Sequence, residues 1–267
     1  MKTIKLCSLA LITVILVSLT SCLGDSENTQ DVQFVSGIVV SEKGKKLIQT
    51  QVLGNIYDPR ISTMYFGTGD EYVVCSFQVE TTSAENANAE ENGYWHVTLY
   101  DDPATVNEGG VDYYNKPDTT VLLANEIELS EGVIATYPYS NIIAYINGMF
   151  FLPTGNTGLT GQEAQFVMYI DPAQEPIKNG SINEYTAILR AVETAAGKTP
   201  QLNHLRANAY NLKYPIETIQ QKEKQLGNER FNLRFTFLSK IEEKEGEEVE
   251  LTWTKDATAI PFGVPKD

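Results

Sequence analysis

Apolar and polar residues alternate along most of this chain with the two-residue period of a strand. In 231–237, Phe231, Leu233, Phe235 and Phe237 fall on one face, and Asn232, Arg234 and Thr236 on the other. Val249, Leu251 and Trp253 repeat the pattern after Lys244-Glu245-Gly246-Glu247, so the two runs predict a hairpin. Trp95, Val97 and Leu99 share one side of 94–100. The runs 32–40, 45–53, 71–80, 119–129, 164–170, 184–192 and 202–212 read as further strands. The apolar stretch 141–152 continues the pattern, and Gly37 marks a bulge position. Residues 86–93 are polar and acidic and suit a loop, and 109–118 are turn-rich.

One segment breaks the alternation. Residues 215–227 open with Pro215 and close with Gly227, a helix beginning and a helix end. Ile216, Ile219 and Leu226 would share its inner side, which predicts a short surface helix linking two strands. Many strands and one helix predict an all-β fold rather than α/β units. A boundary between two β units is expected between 125 and 140, giving domains 32–130 and 131–267.

The start of the chain is of another kind. Lys2 and Lys5 precede an apolar run from Leu6 to Leu16, which is too short for a convincing membrane span. Leu19-Thr20-Ser21-Cys22 follows, with a large apolar residue three places before the cysteine and a small one just before it. This resembles a bacterial lipoprotein signal covering 1–21, with Cys22 as the acylated first residue of the mature chain. Several acyl chains on one cysteine, as that resemblance implies, would make a stable anchor. Residues 22–31 are polar and acidic and read as a flexible leash. Asp25 and Glu27, split by Ser26, partly resemble a signal for export to the surface of Bacteroides-type cells. A merely solvated linker explains them equally well.

Composition narrows the chemistry. Hydrophobic residues make up 42% of the 267, enough for a packed core. Thirty-five acidic against 20 basic side chains give a formal charge of −15, which disfavours nucleic acid. Cys7 is lost with the leader and Cys22 is acylated, so Cys75 has no partner for an internal disulfide and reads as a small buried apolar residue. His96 and His204 do not stand at zinc-ligand spacing, and each reads as a surface or half-buried strand residue. The chain holds no Gly-x-Ser-x-Gly elbow and no phosphate-binding or dinucleotide glycine run. Asn156-Thr157-Gly158-Leu159-Thr160-Gly161 reads as a loop. Asp101, Asp102, Asn107 and Glu108 hold oxygen ligands without calcium-loop spacing. No catalytic residue, cofactor or metal site is therefore assigned.

Tyrosine is the remaining handle, with 14 in the chain. Tyr113, Tyr114, Tyr137 and Tyr139 fall in turn-like segments, where a ring is less readily explained by a core. They are candidate ligand-binding residues, able to stack on sugars or line a protein interface. Covering the ends of the sandwich is the alternative. Asp118-Thr119-Thr120 resembles a short O-glycosylation acceptor motif of Bacteroides-type bacteria.

In layout the chain resembles the NigD-like lipoproteins of the Bacteroides group. The shared features are the lipobox at Cys22, the acidic leash, a small-barrel N-terminal β region and a C-terminal sandwich ending in a hairpin. Residues 205–237 carry most of the C-terminal likeness. The leash lacks the run of consecutive aspartates often seen there. The resemblance implies an OB-like domain followed by an immunoglobulin-like one, and no catalytic residues. The expected function is a non-enzymatic envelope lipoprotein that binds or scaffolds a partner, attached by acyl chains to a Gram-negative outer membrane. The alternatives are a glycan-binding accessory protein and, less favoured, a hydrolase of envelope polymers. A strand-donating pilus subunit is a poor fit, because Pro261 and Pro265 cannot donate to a ladder.

Overall fold

The computed structural model describes residues 28–66, 71–129, 139–159, 162–198, 200–243 and 249–266. The expected leader (1–21), Cys22 and most of the expected leash lie outside these residues, as does Tyr137.

The N-terminal unit holds β1 (Thr29–Glu42), β2 (Lys45–Thr50), β3 (Gly54–Tyr57), α1 (Pro59–Thr63), β4 (Glu71–Glu80), α2 (Ala89–Asn92), β5 (Trp95–His96), β6 (Thr98–Leu99) and β7 (Ala104–Thr105). The strands order as β5-β3-β2-β1-β4-β6, with β7 also on β4. Lys43 and Gly44 both take positive φ, the turn that suits a two-residue hairpin between β1 and β2. Val35, Ile48, Ile56, Val73, Phe77 and Leu99 fill the inside. Cys75 packs there too, and burial pushes its thiol pKa up to about 12. The bulge in β1 falls between Val32 and Val35, where Phe34 has φ 52°, and not at Gly37. Gly37 is instead a point of close packing. A Cβ there would stand 2.3 Å from Ile48 Cγ2.

The second unit holds β8 (Asn107–Asp112), a 3-10 turn (Tyr139–Ile142), β9 (Ala144–Ile146), β10 (Met149–Leu159), β11 (Glu163–Tyr169), β12 (Ile177–Asn179), β13 (Ile182–Ala195), β14 (Pro200–Asn211), α3 (Lys213–Gln225), β15 (Arg230–Glu243) and β16 (Val249–Gly263). The order is β16-β15-β13-β11-β8-β14-β10-β9, with β12 on β13. Strands far apart in that order touch. Phe150 of β10 stacks on Phe235 of β15 with ring centres 5.7 Å apart, and Tyr145 of β9 meets Phe262 of β16 at 5.5 Å. The sheet therefore curls on itself into a sandwich whose two layers share β8, which pairs in parallel with both β11 and β14. Phe231, Leu233, Phe235 and Phe237 all point inward and are fully buried. The all-β architecture with few helices is the one the alternation predicts.

Several details differ from the sequence reading. Residues 119–129 form no strand; their one ladder contact is an isolated bridge, Glu126 to Val192. Arg190 pins the segment as a loop instead: its guanidinium donates to the carbonyls of Asp118 (3.1 Å) and Val121 (2.7 Å). The sheets change between β7 and β8, at 105–107, and not near 130. Residues 107–129 belong by pairing to the second unit: Ile127 N–H donates to Ala191 O, and Leu129 N–H to Leu238 O. The final hairpin forms, but Val249 is exposed and Leu251 and Trp253 are only half-buried, because that end projects beyond the core. Pro261 stands in β16 after all, opposite Asn232, on an edge strand where a missing N–H is tolerated.

The helix α3 links β14 to β15 as expected, with Pro215 in its first turn and Gly227 at φ +77° after its end. Its inner stripe is Ile216, Ile219 and Glu223, while Leu226 is exposed. Glu223 is completely buried. It accepts from Asn183 Nδ2 (2.9 Å), Asn228 Nδ2 (2.6 Å) and the Tyr185 hydroxyl, which satisfies the carboxylate inside the protein.

The two units are locked together. Ile38, Tyr72 and Val106 share a core with Ile146, Met149 and Phe151. Ser36 Oγ donates to Ile142 O at 2.6 Å, and Asn141 Nδ2 to Gln33 O at 3.0 Å. Asn147 Nδ2 donates to Gln49 Oε1 at 2.6 Å, and Gln51 Oε1 accepts from Tyr145 N–H at 3.1 Å.

Candidate functional site

The strand β8 ends at Asp112, whose carboxylate accepts from the N–H groups of Tyr114 (2.9 Å) and Asn115 (3.0 Å). An Asp side chain that bonds its own backbone two and three residues on makes a fixed turn. The Asn115 side-chain amide adds a third bond at 2.9 Å, and these donors hold the Asp112 pKa below the usual carboxylate value. The turn lifts Tyr113 and Tyr114 to the rim of the sheet. Their ring centres stand 4.4 Å apart, and the neighbouring Tyr113 hydroxyl raises the Tyr114 pKa.

The third ring comes from α3. Tyr214 precedes Pro215 in the first turn of the helix and lies 5.0 Å from Tyr113. Tyr114 is 82% exposed and Tyr214 54%, so neither ring is explained by a core. An open groove of about 760 Å³ lies beside them, with Tyr113 and Tyr214 in its wall. Glu108, Gln165, Asn211 and Glu217 also line it.

Two glycines shape the floor. A Cβ on Gly109 would stand 2.2 Å from the buried Tyr210 ring, and one on Gly110 would meet Val167 at 3.3 Å. Both lie in β8, whose partners approach from either side, so the floor is bare backbone between polar walls. Flat rings beside amide and carboxylate groups suit a ligand with both an apolar face and hydroxyls at its edge.

Of the four candidate tyrosines, the structure brings Tyr113 and Tyr114 together. Tyr139 begins the 3-10 turn that packs on β1 at the seam between the units, and its side chain is outside the described residues. Tyr137 is outside them altogether. Sequence reading missed Tyr214, because the helix was read as starting at Pro215. An aromatic on the polar outer side of the first helical turn was the available signal.

The other singled-out residues fall elsewhere. His96 is half-buried, with its ring 5.3 Å from those of Tyr57 and Tyr94. Lys45 lies over both tyrosine rings at 4.5 Å, which closes that cluster from within the chain. His204 lies in β14 with its side chain outside the described residues. Among the described residues no three His, Cys, Asp or Glu side chains gather as a metal site, and no helix is long and apolar enough to cross a membrane. Thr120 Oγ1 and N–H both bond Asp118, and the Thr119 carbonyl accepts from Trp253 Nε1, so the Asp118-Thr119-Thr120 motif lies in an ordered loop.

Comparison with known proteins supports this architecture. Residues 27–103 match the family model of a lipoprotein OB domain. No curated protein matches the sequence. An uncharacterised protein from Parabacteroides merdae shares the fold at 21% identity, with 87% of this chain and 100% of that one covered and a TM-score of 0.70. A candidate lipoprotein from Bacteroides fragilis matches at 11% identity, covering 84% and 97%, with a TM-score of 0.50. A NigD-like immunity protein from Bacteroides caccae is similar at 9% identity, covering 86% and 94%, with a TM-score of 0.46. The N-terminal unit thus resembles a lipoprotein OB domain over residues 27–103, and the chain as a whole shares its fold with proteins of Bacteroides and Parabacteroides.

Proposed function

We propose that the protein is an envelope lipoprotein that works by binding rather than catalysis, and that the tyrosine groove is where it holds a glycan. The observation that carries this reading is the exposure of Tyr114 and Tyr214 around Tyr113, at the mouth of a groove walled by Gln165 and Asn211. Sugars present apolar C–H faces to aromatic rings and hydroxyls to amides and carboxylates. Acylation at Cys22 would hold the groove at the outer membrane, on the cell surface. The lipoprotein OB domain at 27–103 supports the anchor, as does the lipobox.

Gel electrophoresis through embedded polysaccharides tests the reading. Wild-type protein is expected to be retarded by at least one polysaccharide, and the double variant Tyr114→Ala, Tyr214→Ala to run freely. Free migration of the wild type in every gel would instead favour a protein partner for the same surface. Mass spectrometry of protein from its native host tests the anchor, and an unmodified Cys22 or an uncleaved leader would overturn it.

A further inference from the structure

We infer that the tyrosine groove is one half of a longer cleft, and that its ligand is a linear, uncharged oligosaccharide lying along both halves; this rests on the glycan reading above. A second groove of about 550 Å³ opens on the other side of the Asp112 turn. Asn115, Lys116, Tyr169, Asp171, Gln174 and Thr186 line it. The turn is therefore a ridge with a groove on each flank: Tyr113 faces the first, and Asn115 and Lys116 the second.

One strand, β11, reaches both grooves. Phe166 and Met168 of β11 are buried in the core, so Gln165, Val167 and Tyr169 take the outer side by the two-residue alternation. Gln165 lines the first groove and Tyr169 the second. Next to them, Asp112 of β8 sits opposite Tyr169 and Gly110 opposite Val167. From Gln165 to Tyr169 is a span of about 13 Å at the strand rise. That is longer than one sugar ring and calls for a chain of them.

The far wall of the second groove is held rigid. Gln174 pairs with the backbone of Thr186 through both amide atoms, at 3.0 and 2.9 Å. Lys222 of α3 fixes the Gln174 carbonyl at 3.0 Å and pairs with Glu175 at 3.2 Å. A preformed wall loses little entropy when a ligand arrives.

Charge selects the class of chain. Glu108 and Glu217 in the first groove, with Asp171 and Glu175 in the second, outnumber Lys213 and Lys116. The whole protein carries −15. Uronic-acid, sulfated and sialylated chains would be repelled along the full length of the cleft.

Calorimetric titration of the full chain with length ladders of gluco-, manno-, xylo- and N-acetylated chito-oligosaccharides tests this, with oligogalacturonate as the acidic probe. Affinity for one neutral ladder is expected to rise with length. Tyr169→Ala should weaken the longest oligomer about fivefold to tenfold, the worth of one stacked ring, and leave the disaccharide unchanged. Lys116→Ala, an exposed change that spares the sheet, should also act on long oligomers alone. Tyr214→Ala should weaken every length. Affinity independent of length, with both second-groove variants like wild type, would overturn the cleft while the Tyr214 result upheld glycan binding. Tighter binding of oligogalacturonate would overturn the uncharged class. Silence from every ladder and the acidic probe would remove the glycan reading itself.

Discussion

Arg190 forks onto Glu126: Nε–H donates to Oε1 at 2.6 Å and Nη2 to Oε2 at 2.5 Å, with both side chains almost wholly buried. The remaining guanidinium donors hold the carbonyls of Asp118 and Val121, and the Trp253 ring stands 5.3 Å away. One cation thus ties a strandless loop to β13. Either Arg190→Ala or Glu126→Ala should cost about 3–5 kcal/mol, because each leaves a buried charge without its partner. The double change Arg190→Met, Glu126→Leu should cost markedly less than the two singles together. Urea unfolding midpoints check both, and equal, small losses for the singles would contradict the pairing.

Acid should loosen the second unit through Glu184. Arg234 at 2.8 Å, and then Lys255 at 2.8 Å, pull its pKa from 4.5 down to about 2 against the opposing effect of burial. A depressed carboxylate adds stability in full above its unfolded value of 4.5; that contribution falls below it and is gone by about 2. Stability measured at about pH 5 and about pH 3 should therefore drop in the wild type, and drop less in Glu184→Gln. Identical slopes would exclude Glu184 as a source of acid sensitivity.

The β8 floor predicts a sharp contrast between two glycines. Gly109→Ala would drive a methyl into the Tyr210 ring, and should cost about 1–3 kcal/mol or more as an overpacked core. Gly263→Ala meets nothing within 4 Å and has ordinary φ, so its melting temperature should stay near wild type. Thermal melting of the two variants decides it.

Tyr214→Ala should separate binding from stability. Its ring is 54% exposed, so unfolding should shift by no more than about 0.5 kcal/mol, as for an ordinary surface change. Affinity for a bound glycan should fall about fivefold to tenfold. A large loss of stability would show that the ring is structural.

Much of this fold was legible because alternation is a local signal. Phe231, Leu233, Phe235 and Phe237 announce their buried face without reference to the rest of the chain. The errors arose where a distant residue decides. Residues 119–129 have strand-like composition, yet Arg190, far along the chain, takes the carbonyl of Val121 and that of Asp118 just before the run. Glu223 occupies the inner stripe of α3 and Leu226 does not, because Asn183, Tyr185 and Asn228 supply donors that the helix sequence cannot reveal. The unit boundary was misplaced because β8 is short and glycine-rich, and only its parallel partners identify it as a strand of the second sheet. At the candidate site, Tyr113 and Tyr114 were visible as rings in a turn. Tyr214 was not, since its meeting with Tyr113 depends on how α3 docks.

The core shared by Tyr72, Met149 and Phe151 has a mechanical consequence. With the two units fastened to each other, a tug on a captured polymer cannot be absorbed by a hinge between them. The load would travel through the seam into β1, the first described strand after the proposed lipid attachment. β1 is laddered on one side to β2 and on the other to β4, so tension along it would act in shear on many backbone bonds at once. Such a linkage resists force, as the proposed tethered binder would need while it held a polymer.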